Sequence, residues 1–231
     1  MYFIGSGALL SRVVNYSLTA GLKIDGICCP PGDSAIPGLR NRAMAVLEST
    51  DPNTDFAPLL AQVADGIIFS INNRCIIADA LLRSRAKFFN IHNGLIQRYR
   101  GIAEVCIFAA LCRGDDRYGV TLQQLLPNQR VDCGPVVAQI EFPIGPKDSF
   151  ADVLQRSLAA CQRIFEANVG RILRDSYPSA MLEPAQAALA YKDVASLSGA
   201  ADHNRLARAA DLGRYTGFFP ELKAVIESVR V

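Results

Sequence analysis

Short unbroken apolar runs alternate along this chain with stretches whose apolar positions recur every three or four residues. "MYFIGSG" is an apolar run ending in glycines, and "ALLSRVVNYSLTAGL" after it has the spacing of an amphipathic helix. "KIDGICC" predicts a second strand. "PPGDSAIPGLRNRA" predicts a loop from its Pro, Gly and Asp content. "DFAPLLAQVA" predicts a short helix, "DGIIFS" a buried strand, "CIIADALLRSRA" a helix and "KFFNIH" another strand. "IAEVCIFAALCRG" is periodic at helical spacing and stops at a glycine. "GVTLQQL" and "PVVAQIEFPI" predict two more strands, and "SFADVLQRSLAACQRIFEANVGRIL" the longest amphipathic helix. Strands alternating with helices predict an α/β layer structure with a largely parallel sheet.

Past Tyr177 the pattern changes to a Pro-, Ala- and Ser-rich tail, until "ELKAVIESVRV" predicts a last helix. We therefore expect a catalytic domain over 1–175 and a C-terminal extension or small subdomain over 176–231. There is no internal repeat.

With 231 residues, half of them hydrophobic, the chain can bury the core of one large domain. A net charge of +2 without a Lys/Arg block argues against a general nucleic-acid or membrane-surface binder. No apolar stretch reaches membrane-spanning length, and no charged-then-apolar leader opens the chain. The seven cysteines form no C-x-x-C pair, and two histidines are too few to complete zinc sites with them. No metal is expected, and the thiols read as small buried hydrophobes of a reduced, cytoplasmic protein.

Two local patterns carry candidate chemistry. Gly5-Ser6-Gly7 follows a strand and opens a helix, as a phosphate-binding turn would, but Leu10 stands where the third Gly of G-x-G-x-x-G belongs. A plain tight strand–helix turn is favoured. "FNIHNGLIQRYRG" places Asn90 and His92 two residues apart, so that on a strand both point to one face. Such a strand end is where open α/β sheets bind ligands, and it is equally where a strand enters an ordinary surface turn. Asp132 in "NQRVDCGPVV" sits in a loop before another strand. An amide, an imidazole and a carboxylate on adjacent loops would supply a hydrogen-bond donor, a proton carrier and a group to orient it. Spacing alone does not choose between chemistry and turn geometry.

Taken in order, these segments resemble the folate-dependent formyltransferases. "NIHNGLIQRYRG" is similar to their Asn-x-His signature, which continues through Ser-Leu-Leu-Pro into a basic or aromatic loop ending in Gly. "YGVTLQQLLPNQRVDCGPVVAQ" resembles their second block, where Gly-Val-Thr leads to Asp-x-Gly. "ADGIIFSINNRCIIADALL" resembles their pterin-cradling strand, loop and helix. The likeness covers roughly residues 1 to 175. It departs at Gly94-Leu95-Ile96-Gln97, where both the Ser and the Pro are missing, on the side where the acceptor would approach.

The resemblance implies a Rossmann-like formyltransferase fold and 10-formyltetrahydrofolate as donor, with a primary or hydroxylated amine of a small metabolite as acceptor. Amino sugar nucleotides, ornithine-type amines and carrier-bound amino acids all qualify. It implies Asn90, His92 and Asp132 as catalytic residues that stabilise the tetrahedral oxyanion and move protons between amine and folate nitrogen. On the donor side it implies Arg74, Cys75 and Ile76, through backbone groups on the pterin edge, and the loop Asn128, Gln129 and Val131 closing over the ring. Arg74 as a solvated charge and Cys75 as core are the competing readings. Acceptor recognition falls to Gly94, Arg98 and Arg100, and Cys133 is assigned to packing. The phosphoribosylglycinamide enzyme is an alternative that the missing Asn in "GSGALLSR" weighs against. The initiator-tRNA branch would need a longer, basic tail, and the formyl hydrolase branch a regulatory domain ahead of the catalytic one. A non-catalytic docking module is the alternative of another class, and the presence of all three polar residues argues against it. Whether the chain forms a homodimer stays open.

Overall fold

The structure, a computed structural model, describes residues 1–34, 36–40, 44–62 and 66–229. Parts of the predicted loop over 30–43 and of the predicted helix over 55–64, and the end of the last helix, lie outside the described residues.

β1 (Tyr2–Gly5) is buried throughout and leads into α1 (Gly7–Thr19), which turns Leu9, Leu10, Val13 and Val14 inward. β2 (Gly26–Cys29), the short α2 (Ile36–Arg40), β3 (Ala45–Glu48) and α3 (Pro52–Asp55) follow. A 3-10 turn over Ala57–Gln62 replaces the expected α-helix there. β4 (Ile67–Ile71), α4 (Asp79–Leu82) and β5 (Lys87–His92) come next. α5 (Ala103–Arg113) ends at Gly114, whose φ of 72° gives the left-handed cap that glycine accepts without strain. β6 (Arg117–Leu125), β7 (Val136–Pro143) and α6 (Phe150–Leu173) complete the predicted pattern. The tail then forms α7 (Val194–Ala200), α8 (His203–Ala209), a 3-10 turn over Gly213–Phe218 and α9 (Pro220–Val229).

The sheet order is β3-β2-β1-β4-β5-β6-β7, and the first five strands pair in parallel. The order reverses between β1 and β4, the switch point where open α/β sheets open a crevice at their strand ends. Three further expectations change, the first being α2, which forms inside the segment predicted as a loop. β3 was not predicted: it is a four-residue edge strand, exposed to half-buried, and the short apolar run in "AMAVLE" that marks it was passed over. The helix expected over "CIIADALLRSRA" shrinks to the four residues of α4. Its first turn is pulled out by Asn53, which donates to the Ile76 carbonyl (3.0 Å) and accepts the Ala78 N–H (2.7 Å).

The described chain divides into two compact units: Met1–Ile91 with Leu122–Ala138 and Cys161–Met181, and His92–Thr121 with Gln139–Ala160 and Leu182–Val231. In the first, Tyr2, Ile4, Cys28, Phe56, Ile68 and Phe88 belong to one buried cluster. Phe3, Phe69 and Phe165 form another, with Phe69 meeting Phe165 edge-on at 5.0 Å. The second unit is built around α5, buried at every position from Glu104 to Cys112, with α7 and α8 packed on it and α9 on α7.

Candidate active site

In the first unit, Asn90 is half-buried on β5, and its amide has no hydrogen-bond partner among the described residues. Asp132 is 7% exposed and adopts a φ of 54°, left-handed backbone that is uncommon for a non-glycine residue. Its Oδ1 accepts from Gln123 Nε2 at 3.0 Å, while Gln123 Oε1 accepts the Gly134 N–H at 3.1 Å. A Cβ on Gly134 would lie 1.8 Å from the Gln124 carbonyl oxygen, so the glycine of Asp-x-Gly permits a close approach of loop to strand.

The two donor-side segments meet at α4. The Asp79 carboxylate accepts the Asn128 N–H at 3.1 Å, and Arg83 donates to Asn128 Oδ1 at 2.6 Å. Ile76 is 68% exposed and Val131 45%, both unusual for large apolar side chains. The amide of Gln129 is half-buried, with its Oε1 enclosed and unpartnered. The backbone of Cys75 is already engaged, because Asn73 accepts its N–H (3.0 Å) and donates to its carbonyl (2.9 Å). Arg74 is exposed, and neither its side chain nor its backbone has a partner among the described residues.

The Gly-Ser-Gly turn is filled from within. The Gly7 N–H at the start of α1 meets both Asp33 carboxylate oxygens at 3.0 Å, and Ser6 Oγ donates to the Asn72 carbonyl at 2.8 Å. A cavity of about 290 Å³ lies beside it at the ends of β1, β2 and β3, lined by Cys28, Cys29, Pro30 and Thr50 among others. Burial, with Cys29, Asp55 and Cys75 adding to it, pushes the Cys28 thiol up to about 12.

In the second unit, His92 is 6% exposed and its Nε2 lies 2.9 Å from the Tyr99 carbonyl oxygen. A carbonyl only accepts, so this contact assigns a hydrogen to Nε2. Gly94 makes the contact possible: a Cβ there would stand 2.6 Å from the Tyr99 oxygen and 2.7 Å from His92 Nε2. Thr121 Oγ1 fixes the same loop, donating to the Gly94 carbonyl (2.8 Å) and accepting from Ile96 N–H (3.3 Å) and Gln139 Nε2 (2.9 Å). Gly94→Ala is expected to displace the imidazole and lower kcat by about tenfold or more, with circular dichroism unchanged. A wild-type kcat would show that the contact does not position His92.

Both candidate acceptor arginines have partners within this unit. Arg98 pairs with Asp115 at 3.0 Å, and the buried Arg100 guanidinium donates to the Gln186 carbonyl. Asp115 also accepts from the Tyr99 hydroxyl, which burial, first, and this carboxylate push upward in pKa. A grip on an anionic acceptor would have to share these contacts. The tail lines the same loop: the Ala185 N–H donates to Gln97 O (2.9 Å), and Leu189 exchanges bonds with Arg100 O (2.8 Å) and the Ile102 N–H (2.9 Å). Gly101, with a φ of 101°, admits the Leu189 backbone where a Cβ would meet its oxygen at 2.3 Å.

Sequence reasoning did not single out Gln123, Thr121 or the 185–189 segment. The first two carried at most the faint signal of polar residues inside a predicted strand.

The formyl transferase family model matches residues 48–169, more than half of the chain. A sugar N-formyltransferase from a Shewanella species has a similar fold, with a TM-score of 0.74 and 17% identity over 93% of this chain and 89% of that one. The N-formyltransferase of Helicobacter canadensis, solved with folinic acid and dTDP-3-aminofucose, gives 0.61 and 16% over 78% of this chain and 66% of that one. Phosphoribosylglycinamide formyltransferase from Anaplasma phagocytophilum gives 0.65 and 17%, covering 75% and 85%. Identities this low speak for the fold, while the family match reaches from β3 through both signature blocks. This chain belongs to the formyl transferase family of enzymes.

Proposed function

We propose that this protein is an N-formyltransferase that moves a formyl group from 10-formyltetrahydrofolate to the amine of a small metabolite, with an amino sugar nucleotide as first candidate. The observation that carries the reading is Asp132, a buried carboxylate fixed in left-handed backbone by a fully buried amide. A donor site in the first unit fits a flat heterocycle: Ile76 and Val131 offer exposed apolar faces, and the Arg74 backbone offers groups with no partner among the described residues. The catalytic segment is 1–175, and the tail shapes the acceptor loop through its 185–189 contacts. The amino sugar preference draws on the Helicobacter canadensis and Shewanella proteins, whose own acceptors are sugars by description.

In this reading Asn90 donates its amide hydrogens to the formyl oxygen, which gains negative charge as the amine attacks. His92 stands on the same strand two residues on and shares that task. Asp132 takes up the proton released by the amine and helps return one to the folate nitrogen. The phosphoribosylglycinamide reading is weakened by Asp33, which already supplies an anion to the turn where a phosphate would be expected.

Calorimetry with the stable 5-formyl analogue should give measurable binding heat, and an amine screen should then release folate product with at least one amino sugar nucleotide. No heat at millimolar ligand sinks the folate donor; binding without sugar turnover redirects the search to ornithine-type or carrier-bound amines.

A further inference from the structure

Gln123 lies on β6 and is fully buried, yet both ends of its amide are bonded to the loop that follows. Nε2 reaches Asp132 Oδ1 at 3.0 Å and Oε1 receives the Gly134 N–H at 3.1 Å, so one side chain spans the Asp-x-Gly tripeptide. The amide orientation follows from its partners. Turned over, it would set its oxygen against a carboxylate oxygen and its NH2 against an N–H, losing both bonds at a site without solvent. Nothing else about Gln123 explains its burial, since an unpaired amide at 0% exposure would be costly.

We infer that Gln123 is a positioning residue: it fixes the plane of the Asp132 carboxylate and the left-handed turn that presents it, without touching substrate. The inference rests on the reading of Asp132 as the proton-handling carboxylate. The amide hydrogen bond holds the charged carboxylate in one rotamer, and the Gly134 bond holds the backbone that carries it. Loosening either lets the carboxylate swing away from productive geometry, where small displacements cost large factors in rate.

Two variants test this in the full-length chain, with Asp132→Asn as reference. Gln123→Leu removes both bonds at similar volume and is expected to lower kcat by about tenfold or more, while the KM for the folate donor stays within about twofold. Gln123→Glu has the same shape and keeps the acceptor for Gly134, but sets a second carboxylate against Asp132 where a donor stood. Its rate relative to wild type is expected to fall about tenfold near pH 8 and to recover near pH 6, where the two carboxyl groups share one proton and a donor is restored. A purely structural Gln123 would leave that ratio flat with pH. The inference is overturned if both variants keep wild-type kcat at both pH values while Asp132→Asn is inactive. Full activity in Asp132→Asn overturns instead the role given to Asp132 itself. Should Gln123→Leu fail to fold, the pH ratio of Gln123→Glu decides.

Discussion

Asp132→Ala is expected to lower kcat by about two or more orders of magnitude while the chain keeps its circular dichroism and its affinity for the 5-formyl folate analogue. The carboxylate is buried and held in place by Gln123, so under the proposed function its removal deletes a placed proton carrier rather than a solvated charge. His92→Ala and Asn90→Ala are expected to match it, because members of one acting unit are strongly non-additive. Double variants should then be little worse than singles. Near-normal turnover in Asp132→Ala would mean that the second block is a turn and nothing more.

Removing residues 182–231 is expected to abolish cooperative folding of the second unit. α5 is buried from Glu104 to Cys112, and α7 and α8 are the helices packed on it. Without them its apolar face meets water, at a cost of about 1.5–3 kcal/mol for each large side chain uncovered. Two polar groups lose partners as well: Glu104 loses the Tyr191 hydroxyl at 2.7 Å, and the buried Arg100 loses the Gln186 carbonyl. That total rivals the whole stability of a domain. The expected readout is insoluble protein, or a melting curve without a sharp transition. A soluble truncate with native circular dichroism would contradict this account.

Legibility in the sequence tracked burial and locality. β1, β4 and β5 are apolar runs buried along one sheet and were plain, as were α5 and α6 with their long periodic stretches. β3 hid because its apolar run is short and is followed directly by the polar Glu48-Ser49-Thr50, and α4 was overpredicted because Asn53, more than twenty residues upstream, takes the hydrogen bonds its first turn needed. The tail helices were short and Ala-rich, and what orders them is α5, far away in sequence. The motif residues could be named from spacing and resemblance, but their supports could not. Asp33 at Gly7, Gln123 at Asp132 and Tyr99 at His92 are tertiary contacts, which no local pattern encodes.

The thiols carry a last consequence. Burial pushes Cys161 and Cys112 each up to about 12, so at neutral pH almost none of either is thiolate. Cys161 belongs to the first unit and Cys112 to the second. Alkylation of either side chain must wait for its own surroundings to open, because both are buried and protonated in place. Each unit thus contains a built-in clock of its breathing, and the two labelling rates separate local opening in one unit from opening in the other without adding a foreign probe.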